Sequence, residues 1–409
     1  MPETKKEIKI GLIGCGGRGR GAARNALLNA GYPNVKLTAI ADAFPQILDA
    51  TVKTFSTPES GLADKIDLPE ERRFSGLDCC EQLLKTDVDV VLLCEPPGFR
   101  PRHFQAAIDA GKHVFAEKPV AVDAPGVNIF RNVSKKAADN KQVVVVGHHL
   151  RYENKHTESI KMIHDGAIGE LLYMRIFFNT GYLWTRPRRE GQTEMQHQVS
   201  NWYYFNWLSG DHIVEQHVHD IDVMNWMNRD MLPTEANGMG GRQVRIGKEF
   251  GEIFDHHAVE YTYANGVKGI SCCRQINNCW NAFTEHAYGT LGHVDMDGHG
   301  LVKMYIRGKE PITWKRDKDG HQTEMDVMFK VIAGEGDYLN TGVQAADATL
   351  TAILGRMATY SGKRVTWEEA SNSKLDLFPQ SLAWDADPGP KPDDRGIYPC
   401  AVPGQTVAF

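Results

Sequence analysis

Ile8-Lys9-Ile10-Gly11-Leu12-Ile13-Gly14-Cys15-Gly16-Gly17-Arg18-Gly19 is the stretch that decides the fold. Its first half alternates isoleucine with lysine and then turns apolar, as a central parallel strand entering a core does. Its second half fits G-x-G-x-x-G, in which glycines permit a tight turn and let backbone approach a pyrophosphate closely. A helix is expected next, over Arg20 to Ala30, offering its amide-rich N-terminus to the same anion. A second strand, Val35 to Ala41, ends at Asp42, about twenty residues past the loop, where a carboxylate accepts from the ribose hydroxyls of a dinucleotide. An acid at that place repels a 2'-phosphate, so NAD is expected rather than NADP.

Outward from that unit, strands keep alternating with helices. The crossover Phe44 to Lys85 has helical spacing around Ile47–Phe55 and Leu77–Leu84. Asp87 to Cys94 reads as a buried strand that stops at Glu95-Pro96-Pro97-Gly98, a turn stiffened by two prolines. A helix over Arg102 to Ala110, ended by Gly111, leads into the run Val114-Phe115-Ala116-Glu117-Lys118-Pro119. A lysine just outside the end of a buried parallel strand sits where such sheets hold their ligands. A helix over Asp123 to Asn140 and a strand over Gln142 to Val146 close the unit at Gly147-His148-His149. The expectation for residues 1–150 is a Rossmann domain, a doubly wound parallel sheet.

With 409 residues the chain can bury two cores, so a second domain is expected over 151–374 and a proline-rich arm over 375–409. Hydrophobic residues at 42% and charged residues at 24% describe a globular protein of ordinary composition. A net charge of -6 without a basic tract argues against nucleic acid. No run is apolar enough to cross a bilayer. Met1 to Glu7 is polar and carries no secretory signal, so a cytoplasmic protein is expected, with an exported form whose signal was removed left open. Eight cysteines include no C-x-x-C pair, which favours reduced structural thiols over a zinc ribbon.

The second domain opens with a helix over Glu153 to Asp165 and a strand over Glu170 to Asn179, with Leu172, Met174 and Ile176 on one face. The run Tyr182 to Trp207 mixes aromatics with arginines and has no clear period, so a loop is expected rather than a core element. Its Trp184, Arg186 and Trp202 suit a carbohydrate site, where flat rings meet sugar C–H faces, and suit a subunit interface equally. Strands are expected over Glu235–Arg242, Ala258–Tyr263, Lys268–Ile276, Phe283–Tyr288 and Leu301–Ile306, with a hairpin turn at Asn265-Gly266. A late helix is expected over Thr341 to Tyr360. The fold class is therefore α/β followed by α+β, the second part a large, mostly antiparallel, open-faced sheet.

The glycine loop, the proline turn followed by His103, Ala110-Gly111-Lys112-His113-Val114 and Glu117-Lys118-Pro119 together resemble the Gfo/Idh/MocA family, the glucose-fructose oxidoreductases, inositol dehydrogenases and their relatives. The resemblance implies a nicotinamide cofactor held at Gly14, Cys15, Gly16, Gly17, Arg18 and Gly19, with Asp42, Glu95, Pro96, His103 and Glu117 near it, and a catalytic lysine at Lys118. Glu95-Pro96 departs from the Thr-Pro that the family more often has. Arg151-Tyr152 corresponds to the passage into the substrate domain and is expected to touch substrate. Open sheets in this family commonly build dimers or tetramers, so a homo-oligomer is expected.

A second chemical signal lies in Ser209-Gly210-Asp211-His212-Ile213-Val214-Glu215-Gln216-His217-Val218-His219-Asp220-Ile221-Asp222. Matched to the family, Glu215 takes the place of an acid that is usually aspartate, His219 that of a histidine, and Asp222 follows. His217 stands where many relatives have a small residue, and it is expected to line the substrate pocket. Oxidising a secondary alcohol needs a base for the hydroxyl proton while hydride leaves, and a histidine with an unperturbed pKa of about 6.5 suits that task. A lysine beside it polarises the oxygen as charge develops. Either Lys118 or His219 can be the formal base. The spacing of His212, Glu215, His217 and His219 also suits zinc, but strand and helix geometry would not converge all four, so no metal is expected. His148-His149 and His256-His257 are expected to be structural or pocket-lining. The expected activity is NAD-dependent removal of hydride from a secondary hydroxyl of a sugar, cyclitol or sugar derivative. The alternatives are an NAD-retaining glycosidase that oxidises, eliminates and re-reduces, and a silent NAD-binding sensor.

Overall fold

The computed structural model describes residues 6–316 and 318–409. The chain divides into two compact units, one of Met1–Val120, Ile129–His149 and Asp319–Val343, the other of Ala121–Asn128, Leu150–Lys318 and Gln344–Phe409.

The first unit is built on a six-stranded, wholly parallel sheet in the order β3-β2-β1-β4-β5-β6. Its strands are β1 (Ile8–Ile13), β2 (Val35–Asp42), β3 (Arg73–Ser75), β4 (Val90–Leu93), β5 (His113–Ala116) and β6 (Val144–Val146). Side chains of β4, Val114 to Ala116 of β5 and all of β6 are buried, which is why these strands read as continuous apolar runs. The order reverses between β1 and β4, where sheets of this class bind ligands beyond their carboxyl ends. Strand β4 starts later than the expected Asp87 because Asp87 and Asp89 are spent on Lys9, the first through its ammonium and the second through its backbone N–H. The first helix, Gly17–Leu27, starts earlier than the expected Arg20, since Gly16 is extended and the last glycines of the loop already form the first turn.

The expected contiguous boundary, with everything over 151–374 in the second domain, is corrected here. Asp319–Val343 belongs to the first unit. Its helix, Gly320–Ile332, lies along Gly17–Leu27, with Asn25 donating to Gln322 and the Ala30 N–H to Asp326. Gly31 makes that approach possible, because a Cβ there would stand 2.1 Å from the Asp326 carbonyl. Asn340 then bridges to Val144 beside β6.

The second unit carries a nine-stranded sheet in the order β14-β13-β12-β11-β7-β10-β9-β8-β15. The strands are β7 (Leu171–Thr180), β8 (Pro233–Gly241), β9 (His256–Tyr263), β10 (Lys268–Gln275), β11 (Ala282–Gly289), β12 (Gly292–Asp297), β13 (Val302–Ile306), β14 (Ile312–Trp314) and β15 (Val365–Thr366). Every pair is antiparallel except β7 with β10. The helix Val218–Met227 packs on β7 and β11 and buries Met174 and Ile176, whereas Leu172, on the same face but at the strand's start, is 54% exposed. The turn at Asn265-Gly266 closes β9 onto β10, with Gly266 at φ +84°.

The loop expected over Tyr182 to Trp207 is only half right. Glu194–Ser200 and Asn206–Ser209 are helices and Trp202–Tyr204 a 3-10 turn. Tyr203, Tyr204 and Trp207 are core residues. Elements this short fall below the length at which periodicity shows in a sequence. The proline-rich arm has no helix or strand and lies on its own unit: Tyr398 is buried and meets Arg188 and Glu194, Gln198 donates to the Pro390 carbonyl, and the Leu377 N–H donates to Asp123.

Candidate functional site

In the first unit the glycine loop is shaped by contacts that only glycine allows. Gly14 sits at φ +85°, and a Cβ there would stand 2.4 Å from the Glu95 N atom. A Cβ on Gly19 would stand 1.8 Å from the Gly14 carbonyl oxygen. Gly16 and Gly17 differ: they are exposed, and a Cβ on either would meet nothing within 4 Å. The loop is therefore tight behind and open in front. The helix that follows has no side-chain cap at Gly16 and no acid in its first turn, which leaves its amides available to an anion. Asp42 accepts from the Cys15 N–H (2.9 Å) and the Phe44 N–H (3.0 Å), fixing the end of β2 against the loop. These residues fit a dinucleotide: the open front at Gly16 and Gly17 would take its pyrophosphate and the Asp42 carboxylate a ribose. Burial pushes the Cys15, Cys79, Cys80 and Cys94 thiols up, so none of them is a ready nucleophile.

At the end of β4, Glu95 is buried with its Oε1 3.4 Å from Nδ1 of His103, while Pro96 is half-buried. Arg100, which the sequence reading passed over, is buried and donates to the carbonyls of Glu95 and Pro119, clamping the exits of β4 and β5 together. Strand β5 delivers Glu117, buried, and Lys118, half-buried, just past its last residue. Glu117 pairs with Nε of Arg18 at 2.5 Å. Burial alone would raise its pKa, but the Arg18, Lys118 and His321 charges outweigh burial and hold it at about 2. Gly147 leaves room for that carboxylate, since a Cβ there would stand 3.1 Å from Oε2. Two further groups come from the returning helix Gly320–Ile332. Glu324 is fully buried with Oε1 3.8 Å from Nη2 of Arg18, and His321 donates or accepts at 3.4 Å from the same oxygen. His321 also stacks on His149 with ring centroids 4.1 Å apart. Nothing in the sequence near residue 320 signals this, because Arg18 and His149 both lie far away along the chain.

In the second unit the motif Ser209 to Asp222 forms two short helices, His212–Glu215 and Val218–Met227. Glu215 and His219 are half-buried. His217, expected in the substrate pocket, is fully buried instead, its ring nitrogens engaged by Asp220 (3.1 Å) and the Ser271 hydroxyl (2.8 Å). Burial, with the His257 charge adding to it, holds its pKa at about 3, so it is a neutral structural link. Arg151, expected at substrate, has its fork committed to Asp222 and Asp230 and lies 4.8 Å from the Trp226 ring. Tyr152 is half-buried at the end of the same 3-10 turn.

The aromatic expectation is met by an actual cluster. Trp184 is 42% exposed, Arg186 stands 5.1 Å over its ring, and Trp202 meets it edge-on at 6.0 Å. Tyr203, beneath them, accepts from Gln275, which also donates to Gln216 beside Glu215. His212 does not converge with Glu215, His217 and His219. Its imidazole belongs with Asp211 and His257, whose donor atoms lie within 4.8 Å of one another, and the Asp211 carboxylate there accepts from the backbone of His212 and Phe254 and from the Tyr360 hydroxyl.

Comparison with known proteins assigns the lineage. Residues 8–148 match the model described as oxidoreductase family, NAD-binding Rossmann fold, and residues 156–295 match the GFO/IDH/MocA C-terminal domain. The chain belongs to the Gfo/Idh/MocA family. It is 29% identical over 164 residues to inositol 2-dehydrogenase of Rhizobium meliloti (strain 1021), covering 40% of this chain and 43% of that protein. It is 22% identical over 277 residues to a glycosyl hydrolase family 109 protein of Shewanella pealeana (strain ATCC 700345 / ANG-SQ1), covering 66% of this chain and 56% of that protein. The chain thus spans about half the length of these curated relatives. Among solved structures, levoglucosan dehydrogenase in complex with NADH and levoglucosan has the same fold, with a TM-score of 0.70 at 16% identity over 88% of this chain and 99% of that one.

Family membership makes residues 8–148, the stretch that carries the glycine loop, Asp42 and the strand-end Glu117-Lys118, the NAD-binding Rossmann domain of this Gfo/Idh/MocA protein. The stretch matched to the family's C-terminal domain carries β7 to β11 and most of β12 of the nine-stranded sheet. No helix among the described residues is long and apolar enough to cross a membrane.

Proposed function

We propose that this Gfo/Idh/MocA protein is an NAD-dependent oxidoreductase that removes hydride from a secondary hydroxyl of a sugar, cyclitol or sugar derivative. The observation that carries the reading is Lys118, placed by β5 immediately beyond a buried strand end in the NAD-binding unit, beside a Glu117 already neutralised by Arg18. Bound NAD supplies the hydride acceptor. Lys118 directs its ammonium at the reacting oxygen and stabilises the charge that develops there. His219 or Lys118 itself takes the hydroxyl proton. Glu215 orients the substrate, and the exposed Trp184, with Arg186 and Trp202, offers sugar-binding faces. Arg151 and His217 act through the scaffold, since their polar atoms are held by Asp222, Asp230, Asp220 and Ser271. The chain works as a homo-oligomer in this reading.

The deciding experiment is Lys118→Ala, assayed for NADH binding by fluorescence and for turnover over a panel of sugars and cyclitols. Retained binding with turnover reduced by about 10²-fold or more is the expected result. Loss of both to the same degree removes the catalytic role. A second reading is favoured by the similarity to a glycosyl hydrolase family 109 protein over 66% of this chain. In it, NAD stays bound and is reduced and re-oxidised within one turnover of a glycoside. Chromogenic glycosides supplied without added NAD separate the two: aglycone release with no net NADH supports the glycosidase.

A further inference from the structure

We propose that Glu324, carried into the first unit by the helix Gly320–Ile332, is a positioning residue for the cofactor that competes with bound dinucleotide for the guanidinium of Arg18. The proposal rests on the NAD reading of this unit and adds a control to it that no motif announces.

Arg18 is the loop's own cation, set between Gly17 and Gly19. Its Nε is taken by Glu117 at 2.5 Å, but its Nη2 is buried and has no hydrogen-bond partner among the described residues. The group that Nη2 approaches is Glu324, whose Oε1 stands 3.8 Å away, close enough for attraction and too far for a hydrogen bond. Oε2 of Glu324 is likewise buried and unpartnered. A buried donor and a buried acceptor are thus held apart across a short gap, an arrangement that costs both groups their solvation unless a third group or a proton completes it. Two acids also face one guanidinium, and one negative charge is enough to neutralise it. The groups around Glu324 are Arg18 from the helix Gly17–Leu27, Glu117 at the end of β5, His321 one turn before it, and His149 stacked behind His321. Burial, reinforced by the Glu117 charge and opposed by His321 and Arg18, raises the Glu324 pKa to about 7.

The consequence is a switch in who holds Arg18. With Glu324 neutral, the second half of the guanidinium is left for an anionic ligand at the glycine loop. With Glu324 ionised, that half is drawn to the carboxylate, and a negative charge is added beside a site meant for pyrophosphate. A unit charge at such range in a partly screened site is worth about five-fold in affinity. NADH binding should therefore weaken about five-fold between pH 6 and pH 8.5.

The test is a fluorescence titration of the full chain with NADH across that pH range, with melting curves to check folding. The wild type should weaken as pH rises, Glu324→Gln should bind at every pH as tightly as the wild type does at pH 6, and His321→Gln, which removes a group that lowers the Glu324 pKa, should keep the weakening but move it to higher pH. If Glu324→Gln does not fold, Arg18→Gln serves: its binding should be weaker and fall less steeply with pH, since the competition for the guanidinium is gone and only the charge of Glu324 remains. A wild-type affinity independent of pH, or an unchanged slope in Glu324→Gln or in Arg18→Gln, overturns the proposal while leaving the cofactor reading intact. No NADH binding by the wild type at any pH overturns both.

Discussion

Two glycines of one loop should respond oppositely to the same added methyl group. Gly19→Ala puts a Cβ where the Gly14 carbonyl oxygen stands 1.8 Å away, and that oxygen is backbone at the tightest point of the turn. The loop must open by more than an ångström, a strain of about 3 kcal/mol, offset by about 1 kcal/mol of helix propensity gained at the third residue of the helix. A net loss of about 2 kcal/mol lowers the melting temperature of this unit by roughly 5 °C. Gly16→Ala meets nothing within 4 Å, and at φ -65° and ψ -172° its backbone suits any residue. Its stability should stay within about 0.5 kcal/mol of wild type. The methyl group instead occupies the open front of the loop, where the pyrophosphate backbone contact is made. Losing about 2 kcal/mol there raises the NADH dissociation constant about thirty-fold. Thermal melts and NADH fluorescence titrations on both variants read the two effects separately. Wild-type NADH affinity in Gly16→Ala would refute the placement of the pyrophosphate, whatever the fate of Gly19→Ala.

Other expectations follow from the same contacts. Glu324 is an acid whose folded pKa of about 7 lies above its unfolded value, so the folded state holds the extra proton and stability falls as pH climbs from the ordinary carboxylate range through about 7, then levels off. At pH 8 that penalty is of order 3 kcal/mol, and Glu324→Gln should melt higher than wild type at pH 8 and close to it at pH 4.5; Glu252, raised by burial to about 7 as well, keeps a residual slope in the variant. Asp211 sits at φ +74° and ψ 161°, a glycine-favouring conformation, yet Asp211→Gly should destabilise by about 2 kcal/mol, because the Tyr360 hydroxyl and the Phe254 N–H lose their acceptor. An unchanged denaturation midpoint in Asp211→Gly would show that strain relief and lost hydrogen bonds cancel.

The sequence made the parallel sheet readable because β1, β4, β5 and β6 are buried except at Lys9 and His113 and leave mostly apolar residues to read. The glycine loop was legible for a related reason: Gly14 and Gly19 are demanded by contacts 2.4 and 1.8 Å away, so the motif is a steric fact as much as a pattern. Three kinds of feature stayed hidden. The helices Glu194–Ser200 and Asn206–Ser209 and the 3-10 turn Trp202–Tyr204 between them are too short to show a period, and the buried Tyr203, Tyr204 and Trp207 read as loop aromatics. The return of Asp319–Val343 to the first unit depends on pairings such as Asn25 with Gln322, which no local window contains. Arg100 carries no signal in the sequence and Arg151 reads there as a substrate contact, whereas their partners are the carbonyls of Glu95 and Pro119 for one and Asp222 with Asp230 for the other.

The segment Ser209 to Asp222 shows how burial sorts residues that composition cannot. It offers three histidines and four acids at spacings that admit several assignments. The fold makes most of them inaccessible. His212 and His217 are buried and their imidazoles are held neutral, the first by burial outweighing Asp211 and the second by burial with the His257 charge added. Asp211, Asp220 and Asp222 are also buried, and Asp220 is driven towards its protonated form by burial and by the neighbouring Glu285 carboxyl. Glu215 and His219 are the two titratable side chains of the segment that stay half-buried. A group that exchanges a proton with substrate must reach it, and a group that is sealed in can only position others. Exposure therefore singles out the same pair that the family resemblance does, by a criterion that owes nothing to it. Within the proposed function, Glu215 and His219 are therefore the residues of this segment to substitute alongside Lys118.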